Sequence, residues 1–146
     1  MRIPLRESPY NAWADRLVAL ALVVAAVTFV MWLSDVDPDP RGHGTHEKLG
    51  MAPCGWAREW DMPCPTCGVT TAATHLVHLQ PLAAFAVQPF GAALALGGLW
   101  VAAIALWSLL RGESFLVRVA SWPYGTILVV TVLLLLGSWG YRAATW

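Results

Sequence analysis

Residues 121–141 read SWPYGTILVVTVLLLLGSWGY, without a single Asp, Glu, Lys or Arg. The uncharged run reaches back to Val119, so 23 residues separate Arg118 from Arg142. A helix rises about 1.5 Å per residue, and crossing a hydrocarbon core takes roughly 20 apolar residues. Pro123 suits a helix start, where its missing N–H is not needed. Trp139 and Tyr141 close the run, as aromatic residues do at a membrane surface. The stretch predicts a transmembrane helix over about 119–141.

Two other uncharged gaps frame it. The first covers the 18 residues from Leu17 to Ser34, the second the 49 residues from Met62 to Leu110. The first predicts a span over about 13–34. Trp13 and Trp32 bracket it, about 29 Å apart on a helix, which matches an aromatic belt. Arg2, Arg6 and Arg16 precede it, as they would in a signal peptide. The apolar run is longer than a signal core, and no small-x-small cleavage site follows before Asp35, so an uncleaved anchor is the better reading. The middle gap is too long for one helix, and Pro81 and Pro89 punctuate it. The span within it is FGAALALGGLWVAAIALWSLL, residues 90–110. Gly91, Ala92, Ala93, Ala95, Gly97 and Gly98 on this span permit close helix packing.

The composition agrees with that reading. Of 146 residues, 58% are hydrophobic and 12% charged, against about 25% charged in soluble domains. Disorder, which needs low hydrophobicity, is excluded. Nine Lys/Arg balance nine Asp/Glu, so no basic face invites nucleic acid. The expectation is one all-α membrane domain over residues 1–146, with three transmembrane helices and a short re-entrant or interfacial helix after a cysteine-containing loop.

That short helix is predicted over Cys64–Leu79, with residues 82–88 returning the chain to the second span. The segment 35–63 reads as a loop, rich in Pro, Gly and Asp. Its acids lack the EF-hand pattern and are best read as solvated charges. The positive charges set the orientation. With three spans, one side holds Arg2, Arg6, Arg16, Arg111 and Arg118, and the other holds Arg41, Lys48, Arg58 and Arg142. The first side is then cytoplasmic, with the N-terminus, and residues 35–88 are extracytoplasmic. A fourth span at 64–80 would worsen this charge balance and ranks second.

All three cysteines fall within PCGWAREWDMPCPTCG, at Cys54, Cys64 and Cys67. An odd count allows at most one disulfide within the chain. At a helix mouth the Cys64 and Cys67 thiols would be more acidic than a free cysteine. A disulfide, a metal site and redox exchange are all open to such a motif. On a helix from Cys64 onward, Cys64, Cys67, Thr71, His75 and His78 share a sector of about 80°. Such a polar stripe should face protein or a water-filled cavity. Cys67 and His75 lie about 12 Å apart along the helix and cannot share one metal. A Cys₃His zinc site would need Cys54, Cys64, Cys67 and a loop histidine, His43 or His46. His75 and His78 could instead bind a haem or chlorin, although the covalent haem signature is absent because Gly68 follows Cys67.

These residues resemble a family of small bacterial membrane proteins classed as a domain of unknown function. Its motif is a cysteine, about nine residues, then Cys-Pro-x-Cys-Gly-x-Thr-Arg-Ala, followed by a short helix, an Asn-Pro step and a hydrophobic span. Cys54, Cys64, Pro65, Cys67, Gly68, Thr70, Ala72 and Pro89 match, over roughly residues 45–110. Thr71 stands where the family usually has arginine, and Gln88 where it has asparagine. The resemblance implies a helical membrane fold with a structured cysteine loop, here in a bacterial inner membrane, and no established activity.

Three spans and a short loop leave little room for a catalytic pocket, and no nucleophile elbow or phosphate-binding glycine loop is present. The first expectation is therefore a non-enzymatic accessory or scaffolding subunit, with membrane lipids and other integral membrane subunits as partners. The alternative is a metal-binding or thiol-redox protein built on Cys54, Cys64 and Cys67, or a haem- or pigment-binding subunit using His75 and His78.

Overall fold

The computed structural model describes Pro4 and residues 7–146. Arg2 and Arg6, counted in the charge balance, lie outside the described residues. Among these, the chain forms eight helices: α1 Ala12–Ser34, α2 Thr45–Lys48, α3 Gly55–Trp60, α4 Val69–Val77, α5 Pro81–Val87, α6 Pro89–Arg111, α7 Phe115–Ala120 and α8 Tyr124–Ala144. The only β-type pairing among them is an isolated bridge between Pro4 and Glu113.

Three helices, α1, α6 and α8, are long and apolar enough to cross a membrane, with mean hydropathies of 2.5, 2.1 and 1.7. Only 11% of each apolar window is buried inside the protein. A water-soluble bundle would hide these side chains, so their exposure fits a lipid surround. The first two spans fall within a residue of expectation. The third starts later, at Tyr124, because Phe115–Ala120 forms the separate helix α7 and Pro123 interrupts before α8.

The structure corrects the middle of the chain. The expected single helix over Cys64–Leu79 is shorter, and α4 begins only at Val69. Gly68 enters it with a φ of +92°, a left-handed conformation that breaks helical continuity with the CPTC turn. Residues 82–88 are mostly helical, not a plain return: Pro81 starts α5, which packs against α4. The segment 35–63 is less loop-like than its composition implies, since α2 and α3 lie within it.

The contacts divide into two compact units. One contains the chain up to Phe29 together with Gly97–Tyr124. Its core is Ala19, Ala105 and Phe115, with Leu22, Val23, Ile104 and Leu116 against it. Its polar centre is Asp15, on the first turn of α1 and almost fully buried. The Asp15 carboxylate accepts from the Ser114 hydroxyl, from the Phe115 N–H at 3.0 Å and from the Leu116 N–H at 3.4 Å. Those amides open α7 and have no partner within their own helix. Asp15 thus caps α7, and its charge meets the positive end of the α7 dipole.

The other unit contains Val30–Leu96 and Gly125–Trp146. Its small core is Ala72, Ala84 and Ala92, one residue each from α4, α5 and α6, with Leu76 and Val87 against it. Alanines let the three backbones approach closely. Gly91 makes the tightest approach to backbone: a Cβ there would lie 2.7 Å from the Val69 Cα. Backbone cannot move aside as a flexible side chain can. Gly91→Ala is expected to cost about 1–3 kcal/mol by overpacking, read as a lower thermal midpoint by circular dichroism in detergent. An unchanged midpoint would mean that α4 and α6 are not seated on one another at this glycine.

Candidate metal centre

The three cysteines come from different local structures. Cys54 is the N-cap of α3, in extended conformation, and its carbonyl accepts from the Arg58 N–H at 3.1 Å. Cys64 and Cys67 flank a turn closed by the Cys67 N–H donating to the Cys64 carbonyl at 3.0 Å. Pro65 favours this turn, and Gly68 supplies the left-handed exit into α4. A Cβ at Gly68 would fall 2.8 Å from the Gly42 carbonyl oxygen, so the loop before α2 also rests against this glycine.

Several contacts hold the turn in place. The Trp139 indole N–H, from α8, donates to the Pro63 carbonyl at 2.9 Å. The fully buried Gln88 side chain donates to the Pro65 carbonyl at 3.2 Å. The same amide accepts from the Gly91 N–H at 2.6 Å, satisfying an open donor at the start of α6. Buried Thr45 and Thr71 share a hydroxyl–hydroxyl bond of 2.9 Å that joins α2 to α4. Thr45 also accepts from the Asp39 N–H at 2.9 Å. Pairing satisfies these buried polar groups, and the cysteine segment gains a defined shape.

The result is a tight sulfur triad. The Cys67 Sγ lies 3.3 Å from the Cys64 Sγ and 3.4 Å from the Cys54 Sγ, and all three sulfurs fall within 4.8 Å of one another. All three cysteines are free thiols. Thiolates bound to one zinc at about 2.3 Å in a tetrahedron sit roughly 3.8 Å apart. The two short separations fall about half an ångström under that spacing, so the triad can take three corners of such a site with small shifts. A cavity of about 360 Å³ adjoins the triad, lined by all three cysteines together with His46, Met51 and Thr66. Of the two loop histidines, His46 shares this cavity. His43 stacks on Trp146 at 4.5 Å between centroids, its Nδ1 lies 3.0 Å from the Arg41 carbonyl, and burial lowers its pKa.

The thiols do not all behave as a helix mouth would make them. Burial pushes the Cys67 thiol up to about 12, helped by its hydrogen bonds to Cys64 and Cys54. The expected acidic thiol fails at Cys67 because burial dominates, and α4 itself starts beyond it. For Cys54, burial raises the pKa, but the N–H groups of Ala57 and Trp56 at the mouth of α3 and the neighbouring thiols outweigh it. Its thiol ends below the usual range.

His75 and His78 do not line the cysteine cavity. The expected stripe ends where α4 begins, so these histidines and the cysteines do not share one helical face. His75 Nδ1 lies 2.7 Å from the Gln80 Oε1, and the His78 Nε2 is buried without a partner among the described residues. Gln88, Trp139 and Thr45 are positioning residues; the sequence reading marks Gln88 only as a departure from the family's asparagine and Trp139 only as an aromatic closing the last span. Gln88 had a visible signal, being an amide between two apolar helices.

The loop before α2 is held by Asp39. Its carboxylate accepts from the Arg41 N–H at 2.9 Å, Nε at 3.0 Å and Nη2 at 2.9 Å. The Arg41 guanidinium holds the Asp39 carboxyl down at about 2, against partial opposition from burial. A depressed carboxylate stabilises the fold above its ordinary value of 3.8 and loses that contribution as pH falls toward 2. Amide exchange at Asp39 and Gly42 should therefore accelerate between about pH 4 and pH 2, beyond the intrinsic pH effect. Asp39→Asn should remove that extra acceleration; its persistence in the variant would assign the loop's acid sensitivity to another group.

No curated protein and no solved structure matches this chain. The motif resemblance is borne out over the segment that carries the triad: residues 54–102, from Cys54 through α4 and α5 into α6, match the family model described as Protein of unknown function (DUF2752).

Proposed function

We propose that this multi-pass membrane protein holds one thiophilic metal ion, zinc in first place, on Cys54, Cys64 and Cys67, with His46 as the fourth ligand. The observation that carries the proposal is the sulfur triad, three Sγ atoms within 4.8 Å of one another. Three cysteines drawn from two separate turns and clamped by Trp139 and Gln88 form a preorganised donor set. A Cys₃His set is closed and tetrahedral, the pattern of structural zinc. With no open position for a substrate, the ion's role is to hold the loop in shape. Softer Cu(I) also suits three thiolates and the nearby Met51 thioether, and metal analysis separates the two. The test is elemental analysis and intact mass spectrometry of the full chain, extracted gently from its native membrane. One zinc per chain supports the proposal. A metal-free chain carrying a two-proton deficit would replace it with a structural disulfide.

A second reading concerns what the metal-bearing protein is for. We infer an accessory subunit of a larger assembly in a bacterial inner membrane, with residues 35–88 extracytoplasmic. Part of the small-residue stripe on α6 is used within the chain, at Gly91 and Ala92. A Cβ at Gly97 or Gly98 meets no described atom within 4 Å. Among the described residues these glycines accommodate nothing, and their small size suits a partner helix. Co-purification of a second integral protein, lost in Gly97→Leu, would support this; a chain that runs alone in mild detergent would refute it.

A further inference from the structure

A second cavity, of about 590 Å³, lies beside the C-terminal end of α8. Arg41, Glu47, Arg58, Asp61, Arg142 and Trp146 line it, and Cys54 of the sulfur triad also borders it. Three arginines and two carboxylates line it, and two of the three arginines are paired. Arg41 pairs with Asp39 and Glu47, and Arg58 pairs with Glu59. Asp61 accepts a long bond, 3.5 Å, from the Trp146 indole N–H. Arg142 is paired with no carboxylate among the described residues.

Arg142 is also 92% buried, with a relative exposure of 8%. Its Nε is buried without a hydrogen-bond partner. The guanidinium is 5.6 Å from the Trp146 ring centroid and lies against Gly42, where an added Cβ would come within 3.5 Å of its Nη1. A cation–π contact offsets only part of the cost of desolvating a guanidinium. A buried arginine without a carboxylate partner, lining a cavity, is suited to an anionic ligand. The guanidinium fork matches a phosphate, with two N–H donors toward two oxygens.

The position along the chain narrows the source. Arg142 ends a membrane-length helix, among Trp139, Tyr141 and Trp146, and such aromatics sit at headgroup depth. We propose that this cavity is a phosphate-binding site centred on Arg142, occupied by the headgroup phosphate of an anionic phospholipid. Arg58 adds long-range attraction at the mouth, and Glu47 and Asp61 select against more highly charged anions.

The test titrates the full chain in nonionic detergent with phosphatidylglycerol, phosphatidylcholine or inorganic phosphate, and reads binding by native mass spectrometry. One phosphatidylglycerol per chain is expected, held more tightly than phosphatidylcholine. Arg142→Gln should weaken it at least roughly tenfold, the worth of one charge-assisted hydrogen bond. Arg111→Gln, which removes a charge elsewhere, should leave it unchanged. Arg142-dependent binding of inorganic phosphate without lipid would keep the phosphate site and change its source. Equal binding of every probe by wild type and Arg142→Gln would overturn the proposal. Should Arg142→Gln fail to fold, amide exchange on the wild-type chain decides. Phosphatidylglycerol or phosphate must then protect residues 140–146, and no protection by either sinks the idea. Metal content is recorded in the same spectra, so failure here is separate from failure of the zinc centre.

Discussion

Cys67→Ser is expected to strip the metal from the purified protein while the three membrane-length helices remain folded. Cys67 is the middle sulfur of the triad, within 3.4 Å of both others, and it is buried. Its loss leaves two sulfurs without the geometry of a closed site. Losing a hydrogen-bond partner of a ligand already costs roughly 10–100-fold in affinity, and losing the ligand itself should cost more. His46→Ala should retain the ion more weakly, because three thiolates persist and water can fill the fourth corner. Metal affinity should also rise with pH. In the metal-free chain burial keeps the Cys67 proton on up to about pH 12, so metal binding must displace it. That thiol alone contributes about a tenfold gain per pH unit. A Cys67→Ser protein with unchanged zinc would show that the triad is a packing feature.

Asp15→Ala is expected to destabilise the other unit by about 3–5 kcal/mol, since each stranded buried donor costs about 1–3 kcal/mol. The change leaves the Phe115 N–H and the Ser114 hydroxyl without their acceptor, and the Leu116 N–H without its weaker bond. It also removes the negative charge at the α7 N-terminus. Asp15→Asn keeps one acceptor oxygen and should lose less than half as much. Thermal unfolding followed by circular dichroism in one detergent, wild type against both variants, measures the difference. Equal midpoints for wild type and Asp15→Ala would mean that lipid or water caps α7 without help from α1.

Much of the fold is legible in the positions of the charges. Long runs without Asp, Glu, Lys or Arg are incompatible with a water-facing surface, and their lengths match a bilayer, so all three spans follow from composition and spacing alone. The prolines that punctuate the sequence fall at helix starts, Pro81 and Pro89 at the first positions of α5 and α6 and Pro123 just before α8, where a missing N–H costs little. The cysteine spacing likewise announces a site. The contents of that site belong to tertiary structure. Cys54 and Cys67 meet across thirteen residues only because Trp139 and Gln88 clamp the turn from α8 and from the start of α6. His46, not His43, lines the cavity beside the sulfurs, and left-handed Gly42 and Gly44 turn the loop before α2. His75 and His78 look aligned with the cysteines on a continuous helix, and Gly68 ends that alignment with one left-handed residue. Asp15 and Arg142 read as ordinary flanking charges, and only packing shows one to be a buried cap and the other a buried cation without a carboxylate. Periodicity and charge gaps report how each residue meets its solvent, water or lipid. Which distant residues meet each other depends on long-range packing, and a local pattern carries no trace of that.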